Sequence, residues 1–156
     1  MPEYKKLRFA EEKDIKSVLV MLLKFIIESP YKDDEVEPEV ILKMLEEHLK
    51  GPKDEKMFLV AVNEDDIPIG VLLCLITNHI FNKTLVANEL IWWVEHEYRK
   101  SKAGIDLIEA FEFWGKKLKV SQLKMSTCEG PMRRLIERFY KSKKYSFVEK
   151  YFVKDL

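Results

Sequence analysis

The stretch WWVEHEYRKSKAGIDLIEAF, Trp92–Phe111, begins as an apolar strand and ends as an amphipathic helix. Between the halves lies a basic loop, Arg99-Lys100-Ser101-Lys102-Ala103-Gly104. Three cations and two small residues therefore stand where a strand hands over to a helix. The first backbone N–H groups of a helix have no internal acceptor. They carry partial positive charge and stabilise an adjacent anion by ~0.3–1 kcal/mol, or up to ~2 when partly buried. A diphosphate suits such a place. Arg99, Lys100 and Lys102 would add net charge there, and Ala103 and Gly104 would let backbone and ligand approach closely.

Working outward, Leu85–Val94 reads as a long strand with polar Asn88 and Glu89 in its middle. After the loop, Gly104, Leu107, Ile108, Phe111, Trp114, Gly115 and Leu118 fall on one helical stripe. Gln122–Thr127 reads as the next strand, so Leu85–Thr127 should form a right-handed parallel crossover. Upstream, Tyr4–Phe9 is a strand, and Asp14 caps a helix whose stripe runs from Ile15 to Ile26 and stops at Ser29-Pro30. Pro38 suits the first turn of a second helix, which Gly51-Pro52 ends. Met57–Val62 is a strand. Ile69–Ile76 is nearly all apolar and should be covered on both faces. Downstream, Pro131 opens a last helix and Ser146–Val153 reads as a final strand. The order is β-α-α-β-β-β-α-β-α-β. It predicts an α/β fold, one mixed and mostly antiparallel sheet covered by helices.

The chain has 156 residues, which makes a single domain spanning 1–156 the default. Charged residues make up 35% and apolar residues 47%, which excludes a disordered chain. Lys+Arg and Asp+Glu both number 27, and that balance gives no support to bulk nucleic-acid binding. The two cysteines, Cys74 and Cys128, have no metal-ligand spacing and form no disulfide framework. His48, His79 and His96 are far apart, so no metal is expected. The longest apolar stretch, VLVMLLKFII, contains Lys24 and is too short to span a bilayer. The expected setting is a reducing cytoplasm, with no membrane partner.

The loop and its surroundings resemble the GNAT N-acetyltransferases. Their acetyl-CoA signature is Arg or Gln, two residues, Gly, one residue, then Gly or Ala; the matching stretch here is Arg99–Gly104. The approach ELIWWVEHEYR is similar to the family's lead-in, and RRLIERFYKSKKYSF resembles its C-terminal pattern. The resemblance spans nearly the whole chain and implies a GNAT-like fold. Two positions depart from it: Lys102 replaces the first signature glycine, and Lys144 stands where a glycine usually precedes the aromatic Tyr145. A left-handed Lys102 would cost roughly 1–2 kcal/mol, whereas an already helical one would gain about 1 kcal/mol over glycine.

The resemblance implies acetyl transfer from acetyl-CoA to a primary amine by direct attack, with no acylated enzyme. Trp92, Trp93 and Val94, Arg99 to Gly104, and Tyr140 would then contact the cosubstrate. Tyr140 matches the family's Phe-Tyr tyrosine, which implies a general acid toward the CoA sulfur. Glu89 is the candidate base, since partial burial amid apolar neighbours raises a carboxyl pKa. The oxyanion donor would be a backbone N–H near Trp93 or Val94. Of the two tryptophans, one packs under the following helix; the other lines the acceptor cleft or joins the core. The acidic residues Asp33, Asp34, Glu35, Glu37 and Glu39 would draw a cationic amine, or form a solvated loop. His96 reads as an exposed turn residue. A different class of reading is a weakly catalytic GNAT-fold module that binds an acidic partner or nucleic acid through Arg133, Arg134, Arg138, Lys141, Lys143 and Lys144. Exposed strand edges allow a homodimer.

Overall fold

The computed structural model describes residues 3–156. The chain forms two compact units, one running through Ser126 and the other from Thr127 to Leu156. The first begins with strand β1 (Tyr4–Phe9), a 3-10 turn (Glu12–Asp14), helix α1 (Ile15–Glu28) and helix α2 (Pro38–Lys50). Strands β2 (Lys56–Asn63), β3 (Pro68–Asn78) and β4 (Leu85–Val94) follow. A 3-10 turn (His96–Tyr98), helix α3 (Ala103–Lys117) and strand β5 (Gln122–Lys124) complete the unit.

The five strands lie in the order β1-β2-β3-β4-β5. All neighbours are antiparallel except β4 and β5, which run parallel across the α3 crossover. The mixed, mostly antiparallel sheet of the sequence reading is therefore present. Both faces of β2 and β3 are covered, which is why their sequences are almost continuously apolar. On one face Met57, Leu59, Leu72 and Cys74 meet Leu107, Phe111 and Trp114 of α3. On the other Phe58, Val60, Val71 and Leu73 meet Val18, Met21 and Leu22 of α1 and Leu45 of α2.

The second unit holds helix α4 (Arg133–Ser142). The strand expected over Ser146–Val153 is not formed, and the element order ends in α4. Phe147, Val148, Tyr151, Phe152 and Val153 are all exposed. The segment has strand-like composition, but a strand is stable only with a ladder partner, and it pairs with none among the described residues. Strand β5 is also shorter than expected, ending at Lys124 instead of Thr127.

One polar cluster closes the first unit where β1 passes into α1. Arg8 donates through Nη1 and Nη2 to Asp14 at 2.6 and 3.0 Å, and through Nε to Asp66 at 2.9 Å. Asp14 is almost fully buried and also accepts the Glu11 N–H at 2.8 Å. Asp66, in the β2–β3 turn, has a positive φ of 61°. Its carboxyl is held well below the usual range, first by the Arg8 hydrogen bond and then by that of Lys13. A buried ion pair adds little net stability, yet removing one partner strands the other charge, at about 3–5 kcal/mol. Arg8→Ala should therefore lose roughly 3 kcal/mol of unfolding free energy in urea, and Arg8→Met with Asp14→Leu should recover most of it. An Arg8→Ala variant as stable as wild type would show that Asp14 finds another partner.

Candidate active site

The site is built on an irregularity in β4. The register pairs Leu73 with Ile91 but Cys74 with Glu89, so Leu90 is an extra residue on β4, a bulge. The extra residue reverses the strand's alternation. Ala87 lies on the α3 face, and after the bulge Trp92 and Val94 lie there too, while Ile91 and Trp93 face α1 and α2. Trp92 thus packs under α3. Trp93 packs edge-on against Phe25 of α1, with centroids 6.3 Å apart. Both tryptophans are packing residues of the first unit.

Beyond Asn88, β4 has no strand neighbour on its β5 side within the first unit, because the β4–β5 ladder covers only Val86–Asn88. The Glu95 N–H donates to Ile69 O at 2.9 Å, which fixes the phase of the antiparallel ladder. Gly70↔Val94 and Leu72↔Trp92 are then non-hydrogen-bonded pairs. Their backbone groups point away from β3, so the N–H groups of Trp92 and Val94 face the β5 side of the strand. Trp93 directs its own toward β3. The outward donor is therefore Val94, with Trp92 one step earlier.

This edge leads into the start of α3. The Ser101 hydroxyl donates to Tyr98 O at 2.7 Å and accepts the Ala103 N–H at 3.2 Å, so it is used within the loop. Among the described residues, the N–H groups of Lys102, Gly104 and Ile105 have no acceptor. Lys102 is right-handed, with φ −76° and ψ −8°, so the missing signature glycine costs nothing in strain. Lys100 and Lys102 are exposed and meet no carboxylate among the described residues. A Cβ on Gly104 would stand 3.4 Å from Trp92 Cζ2 and 3.7 Å from Val94 Cγ2, which are ordinary contacts. The fold therefore does not need glycine at this position.

Arg99 behaves differently from its neighbours. Its Nε donates to Val94 O at 2.9 Å, its guanidinium lies 4.6 Å over the Trp93 ring, and Nη2 reaches Glu28 at 3.5 Å. The exposed imidazole of His96, in the 3-10 turn, also meets Glu28. Lys24 bonds Glu95 at 2.8 Å. These contacts tie the last turns of α1 to residues 95–99.

Glu89 sits at the bulge, where β4 and β5 part. Its carboxylate accepts the Ser126 N–H at 3.1 Å and the Ser126 hydroxyl at 3.0 Å. Burial pushes its pKa up to about 7 against these two hydrogen bonds, which act to lower it. The residue is half-buried, and its bonds to Ser126 lie toward the surface. Ser126 was not foreseen as a partner; nothing in linear sequence links it to Glu89. Cys74, opposite Glu89, is a buried thiol pushed up by burial and then by the Glu89 charge.

In the second unit Tyr140 is buried on α4, its ring 5.7 Å from Tyr145 and 6.2 Å from Phe139. Lys144 is left-handed at φ 67°, its N–H donates to Lys141 O at 3.0 Å and the Tyr145 N–H to Tyr140 O at 2.9 Å, a Schellman motif closing the helix. Lysine thus occupies a conformation that glycine adopts more readily.

No protein-family model matches the sequence, and no curated protein matches it. Solved structures do match. A transcriptional regulator from Bacillus halodurans C-125 aligns at 17% identity over 97% of this chain and 99% of its own, with a TM-score of 0.79. A Trypanosoma brucei acetyltransferase aligns at 17% identity over 97% and 99%, TM-score 0.73. An aminoglycoside N-acetyltransferase in complex with CoA aligns at 14% identity over 98% and 95%, TM-score 0.75. The fold is the GNAT fold.

On the α1/α2 side of this GNAT fold, Ile26, Tyr31, Val36, Val40 and Ile41 floor a cleft of about 320 Å³, rimmed by Asp34, Glu35 and Glu37. The acidic segment is therefore one wall of a concave surface. Among the described residues no helix is long and apolar enough to cross a membrane.

The Glu89 environment makes stability depend on pH. Its folded pKa of about 7 lies above the ordinary 4.5, so the folded protein favours the neutral carboxyl. That contribution is complete below about 4.5 and is lost as pH rises through about 7. Glu89→Gln, neutral throughout, should match wild type near pH 4 and exceed it above pH 7 by roughly 1–3 kcal/mol in urea unfolding. Parallel stability curves for the two proteins would contradict the assignment.

Proposed function

We propose that the chain is an acetyl-CoA-dependent N-acetyltransferase that passes an acetyl group directly to a primary amine. The observation that carries this reading is the β4 edge beyond Asn88, which pairs with no strand of the first unit. There the outward N–H group of Val94 runs on into the N–H groups of Gly104 and Ile105, which meet no acceptor among the described residues. An extended amide chain can add to such an edge as a strand would, and a diphosphate can sit at the helix start. Lys100 and Lys102 supply charge at that start. Acetyl-CoA brings a thioester already activated toward amines.

The chain's own residues would do the rest. Val94 N–H stabilises the developing oxyanion. Glu89, with its pKa near 7, is suited to accept the amine proton at neutral pH, directly or through one water. The resemblance gives Tyr140, on α4, the role of proton donor to the departing sulfur. The C–N bond forms as the C–S bond breaks, and the proton lost by the amine balances the one gained by the thiolate. The acceptor would be a cationic amine, such as a polyamine or a lysine side chain, drawn by Asp34, Glu35 and Glu37. A cytoplasmic setting and a homodimer through exposed strand edges belong to the same proposal.

Calorimetric titration with acetyl-CoA tests the reading: saturable binding is expected, and an absence of binding at millimolar ligand would overturn it. Gly104→Ala should stabilise the unliganded protein by up to about 1 kcal/mol through helix propensity and leave CoA binding intact, since the signature takes either glycine or alanine there. Tyr140→Phe should slow turnover while leaving the CoA dissociation constant unchanged, and an undiminished rate would exclude Tyr140 as the acid. Turnover should rise as pH passes through about 7 and lose that limb in Glu89→Gln.

A further inference from the structure

Arg99 aligns with the first residue of the phosphate signature, yet its contacts point elsewhere. The phase of the β3–β4 ladder turns the Val94 carbonyl, like its N–H, toward the β5 side of the strand. Arg99 Nε covers that carbonyl at 2.9 Å. The guanidinium face rests 4.6 Å over Trp93, and its Nη2 is directed to Glu28. The Nε–Nη2 edge, one of the faces that grips phosphate oxygens bidentately, is therefore already spent on a carbonyl and a carboxylate. The side chain is 22% exposed.

We propose that Arg99 is a positioning residue and not a phosphate ligand: it masks the Val94 carbonyl and fixes the end of β4, so that the Val94 N–H, and not its carbonyl, is presented on the β5 side of the strand. A bare carbonyl oxygen beside that N–H would repel the negative charge that builds on a thioester oxygen. Stacking on Trp93 holds the guanidinium in place. Charge for a diphosphate is left to Lys100 and Lys102. The inference rests on the acetyl-transfer reading above and assigns a role within that same site.

The test uses two thioesters and one fragment: acetyl-CoA, acetyl-pantetheine, which lacks the diphosphate, and ADP, which lacks the pantetheine. For Arg99→Gln, positioning predicts a fall in kcat/KM of roughly 10- to 100-fold with both thioesters alike. The ADP dissociation constant should stay within about twofold of wild type. Arg99→Lys should fail equally, because lysine keeps the charge but loses the planar fork and the stack. Glu28→Gln, a milder change that loosens one contact, should give a smaller loss, again equal for the two thioesters. A loss confined to acetyl-CoA, with weaker ADP binding and rescue by lysine, would overturn the proposal. So would wild-type rates in Arg99→Gln. In the amide spectrum, Arg99→Gln should move the Val94 and Glu95 resonances and leave Gly104 and Ile105 in place; the reverse pattern would also overturn it. That spectrum reads the positioning role even if wild type transfers no acetyl group from either thioester, a result that would sink the acetyl-transfer reading alone.

Discussion

The site depends on one backbone constraint: β4 and β5 are paired for three residues and then part. A strand edge inside a packed unit leaves N–H and C=O groups in need of partners. Here the chain meets that need unevenly. Glu89 takes the first position of the gap with its carboxylate on Ser126, Arg99 covers the Val94 carbonyl, and the Val94 N–H is left facing outward. The bulge at Leu90 is what makes this arrangement possible. Without it Trp92 and Val94 would point to the α1/α2 face, and neither could pack beneath the start of α3.

The helix start and the strand edge are coupled by short chain and tight packing. Trp92 fills the space below Gly104, and Ala103 is fully buried. The first turn of α3 therefore cannot shift without disturbing β4. The opposite side is secured through α1, where Phe25 packs on Trp93 and Glu28 meets both His96 and Arg99. Both ends of the groove are thus referred to the same two core layers.

Much of this was legible in sequence. The 3.6-residue stripes located α1, α2 and α3, and the uninterrupted apolar run of β3 implied cover on both faces. The strand–loop–helix of Leu85 onward implied the parallel crossover, and the basic loop marked the helix start. Three features were not legible. The bulge depends on pairing with β3, which no local pattern encodes. The engagement of Arg99 depends on Glu28, distant in sequence and adjacent only after folding. The C-terminal segment carries strand-like residues, but composition cannot supply a ladder partner, and the expected strand over Ser146–Val153 is absent. Lys102 shows the opposite case: the sequence posed the question of strain, and a right-handed backbone answers it.

The central claim is that the backbone donors of Val94, Gly104 and Ile105 form one continuous anion- and amide-binding line. Amide resonances followed during titration with CoA test it most directly. Saturable shifts at those three residues, with one shared dissociation constant, are the predicted result. CoA that leaves all three unmoved, or that perturbs a different surface with the same affinity, would contradict it.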